Sequence, residues 1–262
     1  MSLLHLAAPA ALVLAGSLLA APCAAQDWGT DTYVLSTFHF ADGDGQHHPA
    51  TVCESFAGSC SASMPFSTVS AHTTLGSTSG SLAVSSIGRD GAGSASLDGM
   101  WWDTFTVTSD TLPFGTPVEL SVRVDLDALV MASAFAPAPY TRAQAGLTYG
   151  GRDGPGMAFA STQDGFSLSN SGSRVQVVGQ TFVLYGRLLA FSDTSWQVGP
   201  DAGSVNASAR YFVDILTPGA SYTTASGHDY SLSPVPDAPA WAAWLAGLAL
   251  LGGWRQHTTR SR

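Results

Sequence analysis

Val118-Glu-Leu-Ser-Val-Arg-Val-Asp-Leu126 decides the fold. Val118, Leu120, Val122, Val124 and Leu126 alternate with Glu119, Ser121, Arg123 and Asp125. A period of two sends five apolar side chains to one face of an extended strand and four polar ones to water, the mark of a sheet with one buried face. The same period returns at residues 205–215, where Val205, Ala207, Ala209, Tyr211, Val213 and Ile215 alternate with Asn206, Ser208, Arg210, Phe212 and Asp214. Residues 181–191 are apolar on both sides, with Phe182, Leu184 and Leu188 opposite Val183, Tyr185, Leu189 and Phe191. That composition predicts a central strand covered on both faces.

Shorter strand patterns cover residues 32–40, 81–87, 100–108, 144–149, 157–160, 166–169 and 174–178. Turn-forming clusters separate these runs: Asp42-Gly-Asp-Gly45, Arg89-Asp-Gly-Ala-Gly93, Gly150-Gly-Arg-Asp-Gly-Pro-Gly156 and Asn170-Ser-Gly-Ser173. Residues 126–136 are the one stretch of this region where a short helix competes with a strand. About ten strands at this spacing predict an all-β fold, a single antiparallel β-sandwich of jelly-roll-like form. Some two hundred residues are enough for one such domain with a substantial core.

The chain has 10 Arg, no Lys and 19 Asp and Glu. Between residues 26 and 232, eighteen acidic residues stand against seven arginines, a formal charge of minus eleven. Such a field repels nucleic acid and anionic lipid, which excludes both as partners of this region. Cys53 and Cys60 remain after the N-terminal Cys23 is set aside. Six residues rich in Gly and Ser separate them, so they are read as a local disulfide closing a loop; two thiols without a partner pair do not make a zinc site.

Candidate chemistry is scattered. His39, Asp42, Asp44, His47 and His48 lie within ten positions. Asp42 and Asp44 are the candidate ligands of a calcium ion, the cation that oxygen donors suit, although Asp-Gly pairs are equally ordinary turn formers. No cofactor is otherwise indicated. Trp101 and Trp102 are adjacent, so their rings point to opposite faces of a strand. Phe105 and Val107 continue the Trp101 face into an apolar row, and an outward ring beside Asp103 suits contact with a sugar. Tyr140, Tyr149, Trp196 and Tyr222 are candidates to extend an aromatic surface. For catalysis, His72, His228 and Asp229 are isolated, and no Gly-x-Ser-x-Gly elbow occurs. Asp125 and Asp127, a carboxylate pair of the kind glycoside cleavage uses, read more simply as the solvent face of a strand. The expectation is a protein without a catalytic constellation.

The two ends of the chain carry addresses. Residues 5–21 form an apolar stretch followed by Ala-Pro-Cys-Ala-Ala-Gln, with small residues Cys23 and Ala25 at the cleavage positions. Residues 1–25 thus read as a signal peptide helix, cut before Gln26, which engages the Sec translocon and signal peptidase. At the other end, residues 233–239 hold three prolines that keep the backbone extended. Fifteen uncharged residues follow at 240–254, then Arg255, Arg260 and Arg262. A helix of that length spans about 22 Å against a hydrocarbon core of about 30 Å. It suits a temporary stop, with the arginines cytoplasmic and residues before Pro239 outside.

Residues 233–262 resemble the PEP-CTERM sorting signal of Gram-negative bacteria. Val235, Pro236, Asp237 and Ala238 occupy its Val-Pro-Glu-Pro motif, residues 240–254 its Ala/Leu/Gly/Trp-rich helix, and residues 255–262 its basic tail. Asp237 stands where the motif has Glu, and Ala238 where it has the second Pro. The resemblance implies recognition by exosortase, cleavage near the motif, and release or attachment at the cell surface in bacteria that make exopolysaccharide and biofilm. It also implies that residues 26–232 form an exported domain whose membrane contact is made only by the C-terminal helix. Three function classes follow: a non-catalytic surface or matrix protein handled by exosortase, a carbohydrate-binding module using Trp101 or Trp102, and a secreted polysaccharide hydrolase or lyase.

Overall fold

The computed structural model describes residues 27–39, 51–56, 58–86, 91–132, 141–163, 166–194 and 201–231, with only the backbone of residues 39, 132 and 201. Thirteen strands are present: β1 (Trp28–His39), β2 (Thr51–Ser55), β3 (Ser59–Met64), β4 (Ser67–Thr74), β5 (Ser77–Ser86), β6 (Ala92–Thr108), β7 (Pro117–Ala132), β8 (Thr141–Tyr149), β9 (Gly156–Thr162), β10 (Leu168–Val177), β11 (Thr181–Asp193), β12 (Asp201–Ile215) and β13 (Ser221–Thr224). Every pairing is antiparallel.

The strands form two sheets. Sheet I runs β3-β4-β5-β12-β7-β10, and sheet II runs β2-β1-β6-β11-β8-β9, with β13 beside the end of β6. One register pair, Ser86 with Ala92, joins them into a continuous path. The pairs β8–β11, β7–β12 and β6–β13 nest around the β9–β10 connection, as in a hairpin rolled into a jelly roll. The expected all-β antiparallel sandwich is therefore present, with thirteen strands in place of about ten.

The additional strands lie where apolar residues are small or sparse. β3 and β4 bury Ala62, Val69 and Ala71 between outward serines and threonines, a weaker hydrophobic signal than that of β7. Residues 126–132 continue β7 as a strand, because each pairs across to β12. Asn170-Ser-Gly-Ser173, read as a turn, lies inside β10 and pairs with residues 121–124. Gly172 marks close approach instead: a Cβ there would come within 1.9 Å of the Met157 carbonyl oxygen on β9. The Asn170 side-chain amide donates to the Phe159 carbonyl at 2.7 Å. The outer edges of the two sheets thus meet at β9 and β10. At the opposite edges, Cys53 on β2 and Cys60 on β3 are disulfide-bonded, tying the sheets together there as well.

β11 buries Phe182, Leu184, Leu188 and Ala190 inward, yet Val183, Tyr185, Leu189 and Phe191 are only half-buried. No second layer covers that face among the described residues, so the strand is not the doubly covered one expected. Large side chains of sheet II, Trp101, Phe105, Phe182 and Leu184, fill the space above the alanines and valines of sheet I. Each such buried side chain contributes about 1.5–3 kcal/mol before chain entropy is subtracted.

One carboxylate sits inside this core. Asp103 is fully buried and in phase with Trp101 and Phe105. It accepts from the Thr104 N–H at 2.8 Å, the Ser226 N–H at 3.3 Å and hydroxyl, and the Tyr230 hydroxyl at 2.9 Å. The Tyr230 ring stacks on Trp101 with centroids 4.8 Å apart. Burial first, and then the Asp103 charge, push the Tyr230 hydroxyl far above the usual tyrosine range. The segment after β13 is therefore clamped to the core by polar and aromatic contacts together.

Candidate functional site

The two tryptophans separate as strand geometry requires. Trp101 is fully buried, whereas Trp102 is half-buried on the outer face of sheet II. Each lies over the glycine opposite it on a neighbouring strand. A Cβ on Gly186 of β11 would come within 2.1 Å of Trp101 Nε1, and one on Gly29 of β1 within 2.5 Å of Trp102 Cζ2. With no side chain beneath it, the Trp102 ring settles against the β1 backbone. Tyr185, its register partner on β11, has its ring centroid 6.4 Å away at an interplanar angle of 25°. The two rings are stacked at that spacing.

Further along β6 and β11 on the same face is an ionic hub. Arg187 Nε donates to Asp98 Oδ1 at 2.7 Å and Arg187 Nη2 to Oδ2, while Arg152 Nη2 reaches Oδ2 at 2.9 Å. The hydrogen bonds to Asp98 hold the Arg187 guanidinium above its ordinary pKa. Beyond the hub, Tyr33, Asp98, Arg142, Gln144, Leu189 and Phe191 line a shallow trough of about 300 Å³. Asp31 lies on β1 opposite Met100. Burial first, then Glu54 and Asp98, raise its carboxyl pKa, and its Oδ1 has no hydrogen-bond partner.

The other expected site residues are dispersed. Asp125 accepts from Arg123 at 2.9 Å and from Ser169 at 2.7 Å, and Asp127 from Ser167 at 2.8 Å. This pair faces outward on sheet I, away from Trp102. Tyr149 stacks on Phe182, with the Arg174 guanidinium 3.7 Å from its ring centroid. Tyr222 packs on Phe105, and burial pushes its hydroxyl well above the usual tyrosine range. Neither extends the Trp102 face. His72 lies among serines on sheet I, whereas the His228 ring meets Tyr230 edge-on at 4.5 Å. Among the described residues no group of three His, Cys, Asp or Glu is placed to hold a metal ion. No described helix is long and apolar enough to cross a membrane. The candidate calcium ligands Asp42 and Asp44, with His47, His48, Tyr140 and Trp196, lie outside the described residues, as do the signal peptide and the whole of 233–262.

Tyr185, Asp98, Arg187 and Arg152 were not singled out in the sequence. The polar members stand 54 and 89 positions from Asp98, and only the register of β6 with β11 brings Arg187 to it. The available signal was the apolar outer face of 181–191 meeting Trp102.

No protein-family model matches the chain. No curated protein matches it either. Among solved structures it is similar to the enzymatically active domain of tailspike protein 4 of bacteriophage CBA120, at 12% identity and a TM-score of 0.21 over 60% of this chain. The chain spans 19% of the length of that protein. It is also similar to VP2 in a subviral particle of infectious bursal disease virus, at 9% identity and a TM-score of 0.16, covering 86% of this chain and 88% of the other. Scores this low leave function to be read from the residues themselves.

Proposed function

We propose that the chain is an exported, non-catalytic protein of the bacterial cell surface or extracellular matrix, sorted through its C-terminal segment and cut there by an exosortase. The observation that carries this reading is the Cys53–Cys60 disulfide, a bond that persists in oxidising compartments outside the cytoplasm. It is supported by the resemblance of residues 233–262 to a sorting signal and of residues 1–25 to a signal peptide. The Asp103–Tyr230 clamp adds a physical reason, since it secures the last described segment against the core immediately before the prolines begin.

The non-catalytic part rests on how the carboxylates are used. Asp98 is occupied by two arginines, and Asp125 and Asp127 by Arg123 and two serines. A general acid and base need proton-transfer reach to a substrate, which these partners take up. On this reading signal peptidase cuts before Gln26, the domain folds with its thiols oxidised, the helix at 240–254 holds it in the inner membrane, and exosortase removes that helix. The test is the intact mass of the protein from its native host with and without exosortase. A C-terminus between Val235 and Pro239 only when the enzyme is present is the expected result. Survival of residues 240–254 in both strains would overturn the reading.

A further inference from the structure

We infer that the end of the sandwich from which the chain leaves toward residues 240–254 rests on the bilayer, with Phe114 and Leu216 set into the interfacial region of a zwitterionic lipid surface. The inference rests on the proposed membrane stop at 240–254 and adds to it a contact made by the folded domain. β6 and β12 both run toward this end, where the loops that follow them are bonded together. Ser109 Oγ donates to the Gly219 carbonyl at 2.5 Å, and Leu216 N–H donates to the Glu119 carbonyl at 2.9 Å. The connection between β10 and β11 joins them, since Gly115 N–H donates to the Val178 carbonyl and Val178 N–H to the Thr116 carbonyl, each at 3.0 Å. Three loops thus form one hydrogen-bonded tip, which presents its side chains without first having to be ordered.

The tip is apolar. Phe114 is 85% exposed and Leu216 56%, with Pro113, Pro117 and Pro218 exposed beside them. One side of the Phe114 ring rests on backbone, because a Cβ at Gly179 would come within 2.1 Å of Phe114 Cε2. Asp110 is the one charged residue of the three loops. Just behind them Glu119, Asp214 and Asp229 outnumber Arg174, whose guanidinium lies over the Tyr149 ring. An apolar tip in an acidic surround suits a neutral lipid headgroup and is repelled by an anionic one.

The course of the chain is what puts a bilayer against this tip. After β13 the chain turns at Ser226, which is bonded to Asp103, and comes back beside β12. His228 lies by Gly76, whose carbonyl accepts from Tyr211 N–H at 3.1 Å, and the Tyr230 carbonyl accepts from Val213 N–H at 2.9 Å. Meeting the level of residue 211 first and 213 next takes the segment parallel to β12, toward the tip. Ser231 there lines a groove with Ile215, Ala220 and Ser221. From Ser231 to residue 240 the chain spans at most about 30 Å. β6, with 17 residues, extends about 50 Å, so the opposite end of the sandwich cannot face the bilayer while 240–254 lies in it. The tip is the end that this tether brings to the surface.

The test uses the mature chain purified from host membranes that lack exosortase. It is reconstituted in phosphatidylcholine vesicles carrying a trace of phospholipid with a diazirine near the top of its acyl chain. After illumination and digestion, mass spectrometry maps the labelled peptides. Label is expected in 240–254 and, at the tip, in 109–120 and 214–220. Phe114→Ser and Leu216→Ser should each lower the tip label about tenfold, the weight of one apolar side chain withdrawn from lipid. Phe114→Trp should keep the label, and Phe159→Ser, at an exposed ring on β9, should leave it unchanged. Replacing half of the phosphatidylcholine with phosphatidylglycerol should weaken the tip label and not that of 240–254. Near-ultraviolet circular dichroism confirms that the variants stay folded, and either serine variant serves if the other does not. Label in 240–254 without label at the tip would overturn this inference and leave the sorting reading standing. No label in 240–254 would overturn the membrane stop, and this inference with it. Tip label that survives in the folded serine variants, or that rises with phosphatidylglycerol, would overturn the inference alone.

Discussion

Replacing Asp103 with Ala should release the segment from Ser221 to Ser231 before the rest of the sandwich unfolds. Asp103 accepts four hydrogen bonds, three of them from Ser226 and Tyr230 on that segment. Two of the donors are hydroxyls bonded to a carboxylate, each worth about 1.5–3 kcal/mol when its charged partner is removed. The loss is therefore about 3–6 kcal/mol, against a total of about 5–15 kcal/mol for a typical domain. A loss of 3 kcal/mol lowers the melting temperature of a domain this size by about 6–12 °C. Asp103→Asn should cost about half as much, because a serine or tyrosine hydroxyl can turn to accept from the new amide. The assay is amide hydrogen exchange by mass spectrometry together with calorimetry. Exchange should rise first at residues 221–231, where Tyr230 N–H donates to the Tyr222 hydroxyl at 3.1 Å, and at the Val213 amide of β12, which donates to the Tyr230 carbonyl at 2.9 Å. Residues 118–126 should keep their protection. If Asp103→Ala melts within 2 °C of wild type (about 1 kcal/mol or less), or if exchange rises equally in β7 and β13, the clamp is not what holds this segment.

Replacing both Cys53 and Cys60 with Ser removes a crosslink with a sequence separation of 7. Loop-closure entropy puts the cost at about 2.5 kcal/mol, and calorimetry should register a fall of about 5–10 °C, matched by reduction of the wild type. Asp31 has its folded pKa raised by burial and by Glu54 and Asp98, so the folded state holds the proton more tightly than the unfolded state, and stability falls as pH rises from 3.8 through the raised value. Asp31→Asn should therefore raise the melting temperature at pH 7 and leave it nearly unchanged below pH 3.8, which thermal melts at the two pH values would check. Gly172→Val would push β10 off the Met157 carbonyl and open the β9–β10 edges; size-exclusion chromatography should then detect oligomers absent from the wild type.

The long strands were legible because one side of each carries large apolar residues. In β7 every second residue from Val118 to Leu126 is buried, and in β12 every second residue from Val205 to Val213. The opposite facing of Trp101 and Trp102 followed from geometry alone. β3, β4 and the first half of β6 were harder to see, since Ala62, Ala71, Ala95 and Gly99 are too small to stand out among serines. β11 misled for the opposite reason: its outer face is as apolar as a buried one yet remains open. Asp103 was readable as an anomaly, a charged residue in phase with Trp101 and Phe105, but its partners lie 123 and 127 positions away. The Asp98 hub likewise needed the register of distant strands before it could be assembled.

The core explains where its own aromatic residues belong, and that isolates those outside it. Two packed sheets lie about 10 Å apart, so large side chains on one must face small ones on the other. Trp101, Phe105 and Phe182 extend from sheet II toward Ala128, Ala207 and Ala209 of sheet I, and Trp101 meets Tyr211 edge-on at 5.5 Å. Trp102, Tyr185 and Phe191 occupy the alternate positions of the same strands and contribute nothing to that filling. The aromatic residues on the outer face of sheet II are thus placed there by strand alternation and not by the demand for volume between the sheets.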